Sequence, residues 1–358
     1  MRTLHPRSTH AIACKQAPTS ILRLAALLLL ALLTPLSLRA AEPLHEILVL
    51  VGAAGEGDYA GGFASAARAW EKAAARGGAH CTIVGLAPTA ESSPESAPAS
   101  SSSASSTDAS PTDRTRLQQW LAARSGESGP PAWIVYLGHG TFDGREARLN
   151  LRGPDVTAPE LATWLAPLRR PLIFIHGGSA SAPFLAALSA PERIIISATR
   201  SGHELNYARF GERFADSIAN PAADIDQDGQ TSLLEAFVTA AQQVQAFYAE
   251  TGRLATEHAL IDDNGDRQGT PAEWFRGLRL QRRPEGAAEP DGQRARLIAL
   301  VPGAGERALT PAQRDARDRL ERELEALRAR KPDLPEADYY RQLESLFRRL
   351  GEIYRADS

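Results

Sequence analysis

Two stretches of this 358-residue chain carry residue types that could do chemistry. The first is Asp224-Ile-Asp226-Gln-Asp228-Gly229-Gln230-Thr-Ser232-Leu-Leu-Glu235, which fits the pattern D-x-D-x-D-G-x5-E at every fixed position. Carboxylates at alternate positions of a tight loop converge on one hard cation. Gly229 permits the sharp turn, Gln230 offers its backbone carbonyl and Ser232 ligates through water. Glu235 closes the sphere with both oxygens from the first turn of the next helix. Asp224, Asp226, Asp228, Gln230, Ser232 and Glu235 are therefore the expected ligands of a Ca2+ ion. The competing reading is a solvated Asp-rich turn that caps the following helix. A second acidic run, Asp262-Asp-Asn264-Gly-Asp266-Arg267, has Arg267 where the pattern needs glycine, and Pro271 interrupts it, so it reads as a turn.

The second stretch is a pair. Trp133-Ile-Val-Tyr-Leu-Gly-His139-Gly140 and Pro171-Leu-Ile-Phe-Ile-His-Gly-Gly-Ser179-Ala-Ser are apolar, β-branched runs that break into small residues. Strands of a parallel sheet end in this way where they present a site at their carboxyl edge. His139 and Ser179 at one edge would form a base–nucleophile dyad, or the relic of one. Taken singly, His139 reads equally well as a satisfied core histidine, and Ser179 as one serine of a turn. A metal-dependent hydrolase using His139, His176 and His203 or His258 is a further reading, but their spacing matches no zinc signature.

The elements that must position these residues alternate. Strands are expected at His45–Val51, Ala79–Leu86, Trp133–Leu137, Leu172–Ile175 and Arg193–Ala198. Helices are expected at Asp58–Arg76, Asp113–Arg124, from a capping box at Thr157 through Leu165, and at Ala180–Leu188. This order predicts an α/β fold with a mostly parallel sheet covered on both faces. The Gly52–Gly55 turn lacks the spacing of a dinucleotide site. Helices at Asn206–Ile218 and Leu233–Glu250 flank the acidic loop, so 207–252 reads as an inserted EF-hand-like helix-loop-helix. Residues 281–293 read as a linker. Residues 294–358 read as one strand (Ala295–Val301) and a C-terminal helical hairpin, Pro311–Arg330 and Ala337–Tyr354, a candidate contact with a partner.

Leu24–Leu33 is an unbroken Leu/Ala run, preceded by basic residues and followed by Ala40-Ala41. Residues 1–41 are the expected signal peptide of an exported protein, with no membrane span after cleavage. The leader carries five basic residues and no acidic one, so its removal takes the formal net charge from -3 to -8. An acidic exported chain is a poor partner for nucleic acid or an anionic membrane; a protein or peptide partner is the expectation. Cys81 is the one cysteine left, which excludes an intrachain disulfide, and it reads as a structural thiol in a strand. Residues 87–112, rich in Ser, Pro and Ala, read as a disordered insertion. The domain expected to hold the site is 42–280.

From His45 to about Trp274 the chain resembles the caspase/legumain-like cysteine peptidases, especially bacterial relatives of legumain. The resemblance rests on Ile134–Gly140, on Pro171–Ser181, and on Arg193-Ile-Ile-Ile-Ser-Ala-Thr-Arg200-Ser201, together with the strand and helix order. It implies a caspase-like three-layer fold. It also implies that His139 acts as general acid/base, that the Gly140 amide is an oxyanion donor, and that Ser179 stands where the family has its nucleophilic cysteine. Serine is far less acidic than a thiol and needs a well-oriented base, and no orienting acid is evident. A one-residue slip would place Gly178 or Ala180 there instead. The favoured expectation is a catalytically inactive peptidase homologue serving as a calcium-stabilised binding or scaffolding module. The alternative is a hydrolase using a Ser179–His139 dyad.

Overall fold

The computed structural model describes residues 43–55, 59–86, 110–126, 128–282, 284–286 and 289–355. The expected signal peptide and positions 87–109 of the expected insertion lie outside these residues. In chain order the elements begin with β1 (Glu46–Val51), α1 (Tyr59–Gly77), β2 (His80–Val84), α2 (Asp113–Ala122) and β3 (Ala132–Leu137). Three short strands follow, β4 (Gly140–Phe142), β5 (Ala147–Leu149) and β6 (Val156–Thr157). Then come α3 (Ala158–Leu165), β7 (Leu172–His176), α4 (Ala182–Leu188), β8 (Arg193–Ser197), α5 (Phe210–Ser217) and α6 (Leu233–Glu250). Short strands β9 (Leu260–Asp262), β10 (Thr270–Pro271), β11 (Phe275–Arg276) and β12 (Arg279–Leu280) precede α7 (Ala304–Ala308), α8 (Pro311–Ala329) and α9 (Glu336–Arg355).

The main sheet runs β10-β9-β8-β7-β3-β1-β2. Strands β2, β1, β3, β7 and β8 are parallel, while β9 and β10 are antiparallel. Register aligns Val51 with Leu137 and Tyr136 with His176, so the loops after β1, β3 and β7 leave one edge side by side. The chain goes from β1 outward to β2, then returns to place β3 on the other side of β1. That reversal puts the topological switch point at the carboxyl ends of β1 and β3, where open α/β sheets form their sites.

The strands are near-continuous apolar runs because both faces are covered. On one face Ile47, Val49, Trp133 and Val135 pack against Trp70 of α1, Phe214 of α5 and Phe237 of α6. On the other, Leu48, Leu50, Ile134 and Phe174 pack against Leu117 of α2, Leu161 of α3 and Phe184 of α4. Each such buried side chain contributes roughly 1.5–3 kcal/mol. The result is three layers, helix–sheet–helix, as expected. Helix α3 starts at the expected box: Thr157 accepts from the Glu160 amide, and the Glu160 carboxylate accepts from the Thr157 amide. Thr112, the last residue of the expected insertion, caps α2.

The C-terminal part departs from expectation. Ala295–Val301 is no strand: Ala295–Leu297 is a 3-10 turn, and the run's one isolated β-bridge joins Ala299 to Ser232. It lies against the acidic loop and the end of α1. The expected linker ends in buried Asp291, which accepts hydrogen bonds from the Asp263 amide and the Thr270 hydroxyl. Helices α8 and α9 form the expected hairpin around Leu320, Leu324, Leu327, Leu346 and Leu350. All described residues belong to the compact unit Pro43–Ser358. Among them, no helix is long and apolar enough to cross a membrane.

Candidate functional site

The loops after β1 and β3 are organised around Tyr136. Its buried hydroxyl donates to the His139 carbonyl at 2.6 Å, and Gly52 and Gly138 close over it. A Cβ on either glycine would lie within 2.6 Å of that hydroxyl, which explains why both loops open with glycine. Burial pushes the phenol far above its usual range, so it stays a donor. The His139 backbone is thereby held, and its ring turns toward the loop after β1. Nε2 lies 3.2 Å from the Ala54 carbonyl, which accepts, so the proton sits on Nε2. The ring is enclosed by Tyr59 (5.1 Å between centroids), Phe63 (5.4 Å) and Tyr207 (5.9 Å). No carboxylate bonds to it among the described residues, and no hydrogen bond joins it to Ser179.

Ser179 is buried and committed elsewhere. Its Oγ accepts from the Gly140 amide at 3.1 Å and donates to the Gly140 carbonyl at 3.0 Å. One hydroxyl thus satisfies both backbone groups of Gly140, which at the start of β4 would otherwise be orphans in a dry site. The same bond occupies the amide expected as oxyanion donor. The structure therefore brings Ser179 and Gly140 together and leaves the His139 ring in a separate aromatic enclosure. The neighbouring positions are closed to a nucleophile. A Cβ on Gly178 would stand 1.9 Å from the Gly138 carbonyl oxygen. Ala180 is fully buried and held at φ 53°, in the left-handed region that costs a non-glycine residue energy.

The other histidines do not gather. His176 is buried against Tyr136 and Phe184, its Nδ1 accepting from the Gly178 amide at 3.2 Å, its Nε2 without a partner. Burial pushes it down to about 3, so it is neutral. His203 stacks edge-on to Phe142. His258 Nδ1 lies 2.6 Å from Glu204, whose carboxylate also takes the Arg200 amide and guanidinium. This cluster pins the loop after β8 and went unread in the sequence, because its members are 54 residues apart. His258 borders a pocket of about 200 Å3 between β8 and α6, lined mainly by Phe210, Val238, Ala259 and Phe275. Cys81 lies in edge strand β2, and burial and then Glu71 push its thiol up to about 11, which makes it inert.

The acidic loop is a tight turn held by its own carboxylates. Gly229 takes φ +90°. Asp224 accepts from the amides of Asp228 (3.2 Å) and Gly229 (3.0 Å), which curls the loop inward. Glu235 is buried and reaches back across it. Oε1 accepts from Ile225 (2.7 Å) and Asp226 (3.2 Å), and Oε2 accepts from the Ser232 amide and hydroxyl. Oxygens of Asp224, Asp226 and Glu235 converge to within 4.8 Å of one another, the one such metal-capable group among the described residues. Asp228 stands off this trio, with one oxygen accepting from the Gln230 amide and the other from its side chain. Burial first, then the neighbouring carboxylates, push Asp226 and Asp228 above the ordinary range. A divalent cation would relieve that repulsion.

Two features of this loop were not legible. The incoming helix α5 stops at Ser217, and a 3-10 turn, Pro221–Ala223, leads into the loop, so the helix-loop-helix is interrupted on one side. On its other side the loop is backed by the C-terminal segment. The Leu233 amide donates to the Ile298 carbonyl at 2.7 Å, Ser232 bridges Ala299, and the Gly303 amide donates to the Gln230 side chain at 3.1 Å. The second acidic run is a turn. Asp262 accepts from the Gly265 and Arg267 amides, while Asp263 faces away and accepts from the amides of Gly292, Arg294 and Ala295.

No protein-family model matches the chain, and no curated protein matches it. Among solved structures it is similar to caspase-1 from Spodoptera frugiperda, at 9% identity and TM-score 0.37, covering 62% of this chain and 86% of that one. It is also similar to the Drosophila initiator caspase Dronc, at 10% identity and TM-score 0.36, covering 63% and 81%. Likenesses of that level carry no inference about this chain's chemistry.

Proposed function

We propose that this chain is an exported, calcium-binding peptidase homologue of caspase-like fold, with no competent nucleophile, that serves as a binding or scaffolding module. The fold reading is supported by the three layers, the strand order, and the positions of His139-Gly140 and Gly178-Ser179 on one sheet edge. The observation that carries the inactive reading is the pair of hydrogen bonds by which Ser179 Oγ accepts from the Gly140 amide and donates to the Gly140 carbonyl. A nucleophile needs an exposed hydroxyl within reach of its base, and an oxyanion hole needs a free amide. Here one buried contact consumes both groups, while the His139 proton is given to Ala54.

Calcium binding is supported by the full sequence pattern and by the convergence of Asp224, Asp226 and Glu235. EF-hand loops ordinarily work in pairs. Here the loop is backed by Ile298–Gly303 through hydrogen bonds to Leu233 and Gln230, so a bound ion would stabilise the join between α6 and the C-terminal segment. The test of the inactive reading is incubation with a fluorophosphonate probe across neutral and alkaline pH, followed by peptide mapping. An unlabelled Ser179 is expected. Labelling that disappears in His139→Ala would establish the serine-hydrolase alternative instead.

A further inference from the structure

The hairpin of α8 and α9 buries one face of each helix and, among the described residues, leaves a second face of α9 without a partner. Tyr340, Phe347 and Tyr354 lie on it at intervals of seven residues and are 50%, 50% and 48% exposed. Apolar side chains repeating every seven residues mark the seam of a helix pair. An open groove of about 590 Å3 runs along this face and is lined by α9 alone.

Gly351 sits between Phe347 and Tyr354 in the same groove. A Cβ there would meet nothing within 4 Å, and its φ is ordinary, so nothing in the chain requires glycine. Glycine inside a helix costs about 1 kcal/mol relative to alanine. Close approach of another helix is the physical use for it.

The charges say which helix. Glu344, Arg348, Glu352 and Arg355 alternate in sign along the groove. Read backwards, that order is its own complement. We propose that α9 joins two copies of this chain through an antiparallel, two-fold contact of these faces. A register centred between Arg349 and Leu350 sets Glu344 against the second copy's Arg355 and brings Arg348 within one residue of its Glu352. The same register, within one residue, seats Phe347 over the second copy's Gly351. The two-fold axis makes each contact twice, as a closed dimer requires. The existing Glu344–Arg348 pair is 63% and 76% exposed and contributes little, so exchanging partners costs little. Helix α9 carries four acidic and four basic residues, so an anionic membrane or nucleic acid finds no excess of positive charge. The inference stands apart from the peptidase and calcium readings.

The test is sedimentation equilibrium of the full chain, with far-UV circular dichroism as the check on folding. A dimer is expected, and Phe347→Glu and Gly351→Leu should each weaken it by about tenfold or more. Gly351→Leu is the sharper variant, because it favours the isolated helix and should leave the hairpin folded. Glu344→Arg should also weaken the dimer, and Glu344→Arg combined with Arg355→Glu should restore it. A chain that stays monomeric overturns the proposal, as does association indifferent to Phe347→Glu and Gly351→Leu. A dimer weakened by Glu344→Arg and not restored by the double reversal overturns the antiparallel register.

Discussion

Replacing Ser179 by alanine separates a structural serine from a catalytic one, because the two roles move stability in opposite directions. In this structure the hydroxyl accepts from the Gly140 amide at 3.1 Å and donates to its carbonyl at 3.0 Å, at a site closed to water. Ser179→Ala leaves both groups buried and unpaired. A stranded buried donor or acceptor costs about 1–3 kcal/mol, and the two share one loop, so a combined loss of about 2–4 kcal/mol is expected. Filling by solvent cannot offset it, since both Ser179 and Gly140 are buried. The assay is equilibrium urea unfolding, where the loss appears as a lower midpoint at unchanged slope. Active-site groups, by contrast, are held in strained or desolvated settings, and removing them is commonly neutral or stabilising. A Ser179→Ala protein as stable as the parent, or more stable, would refute the structural role.

Three further outcomes are expected. Gly178→Ala places a methyl 1.9 Å from the Gly138 carbonyl and should destabilise by about 3 kcal/mol or more in the same unfolding assay. Calcium at about a hundred times its Kd should stabilise the chain by about 2.7 kcal/mol, and Glu235→Gln should remove that response; thermal unfolding with calcium and with chelator checks both. Two of the buried titratable groups give opposite pH dependences of stability. His176 is held down to about 3, so between pH 6.5 and that value the unfolded chain takes up a proton that the folded one refuses, and stability falls as pH falls. His176→Phe should remove up to about 1.4 kcal/mol per pH unit of that acid-side slope. Burial, and then Asp263, push Asp291 up to about 8, so its contribution is lost as pH rises from about 4 to 8, and Asp291→Asn should flatten the decline on that side. Urea unfolding at a series of pH values checks both variants.

The layers and most of their elements were readable because the parallel strands are continuous apolar runs and the helices carry their own stop and start signals. The Thr157 box and the bounds of Leu233–Glu250 are local, so periodicity and capping chemistry suffice. Strands β4 to β6, β9 and β10 are two or three residues long, too short to show a period of two. The run Ala295–Val301 misled for a related reason. Its apolar residues suit a strand, yet they pack on the acidic loop and the end of α1, and only a tertiary contact decides that. At the site, the residue types and their common edge were legible from the two strand ends. Which partner each side chain chooses was not. Ser179 turns to Gly140 because a buried backbone amide and carbonyl must be paired, and His139 turns to Ala54 because the loop after β1 brings an acceptor to its ring. Neither the Glu204–His258 contact nor the Asp263–Asp291 clamp leaves a trace in local sequence.

The most direct measurement of the central claim, that Ser179 is a packing residue, is the alkylation rate of a Ser179→Cys thiol as a function of pH, mapped to its peptide so that Cys81 is counted separately. The thiol is expected to be shielded by Gly140 and unaided by His139, reacting only as fast as the chain opens and with no rise in rate below pH 8. Rapid alkylation at neutral pH that is lost with His139→Ala would contradict it, since the base would then reach position 179 and the edge would be a working dyad.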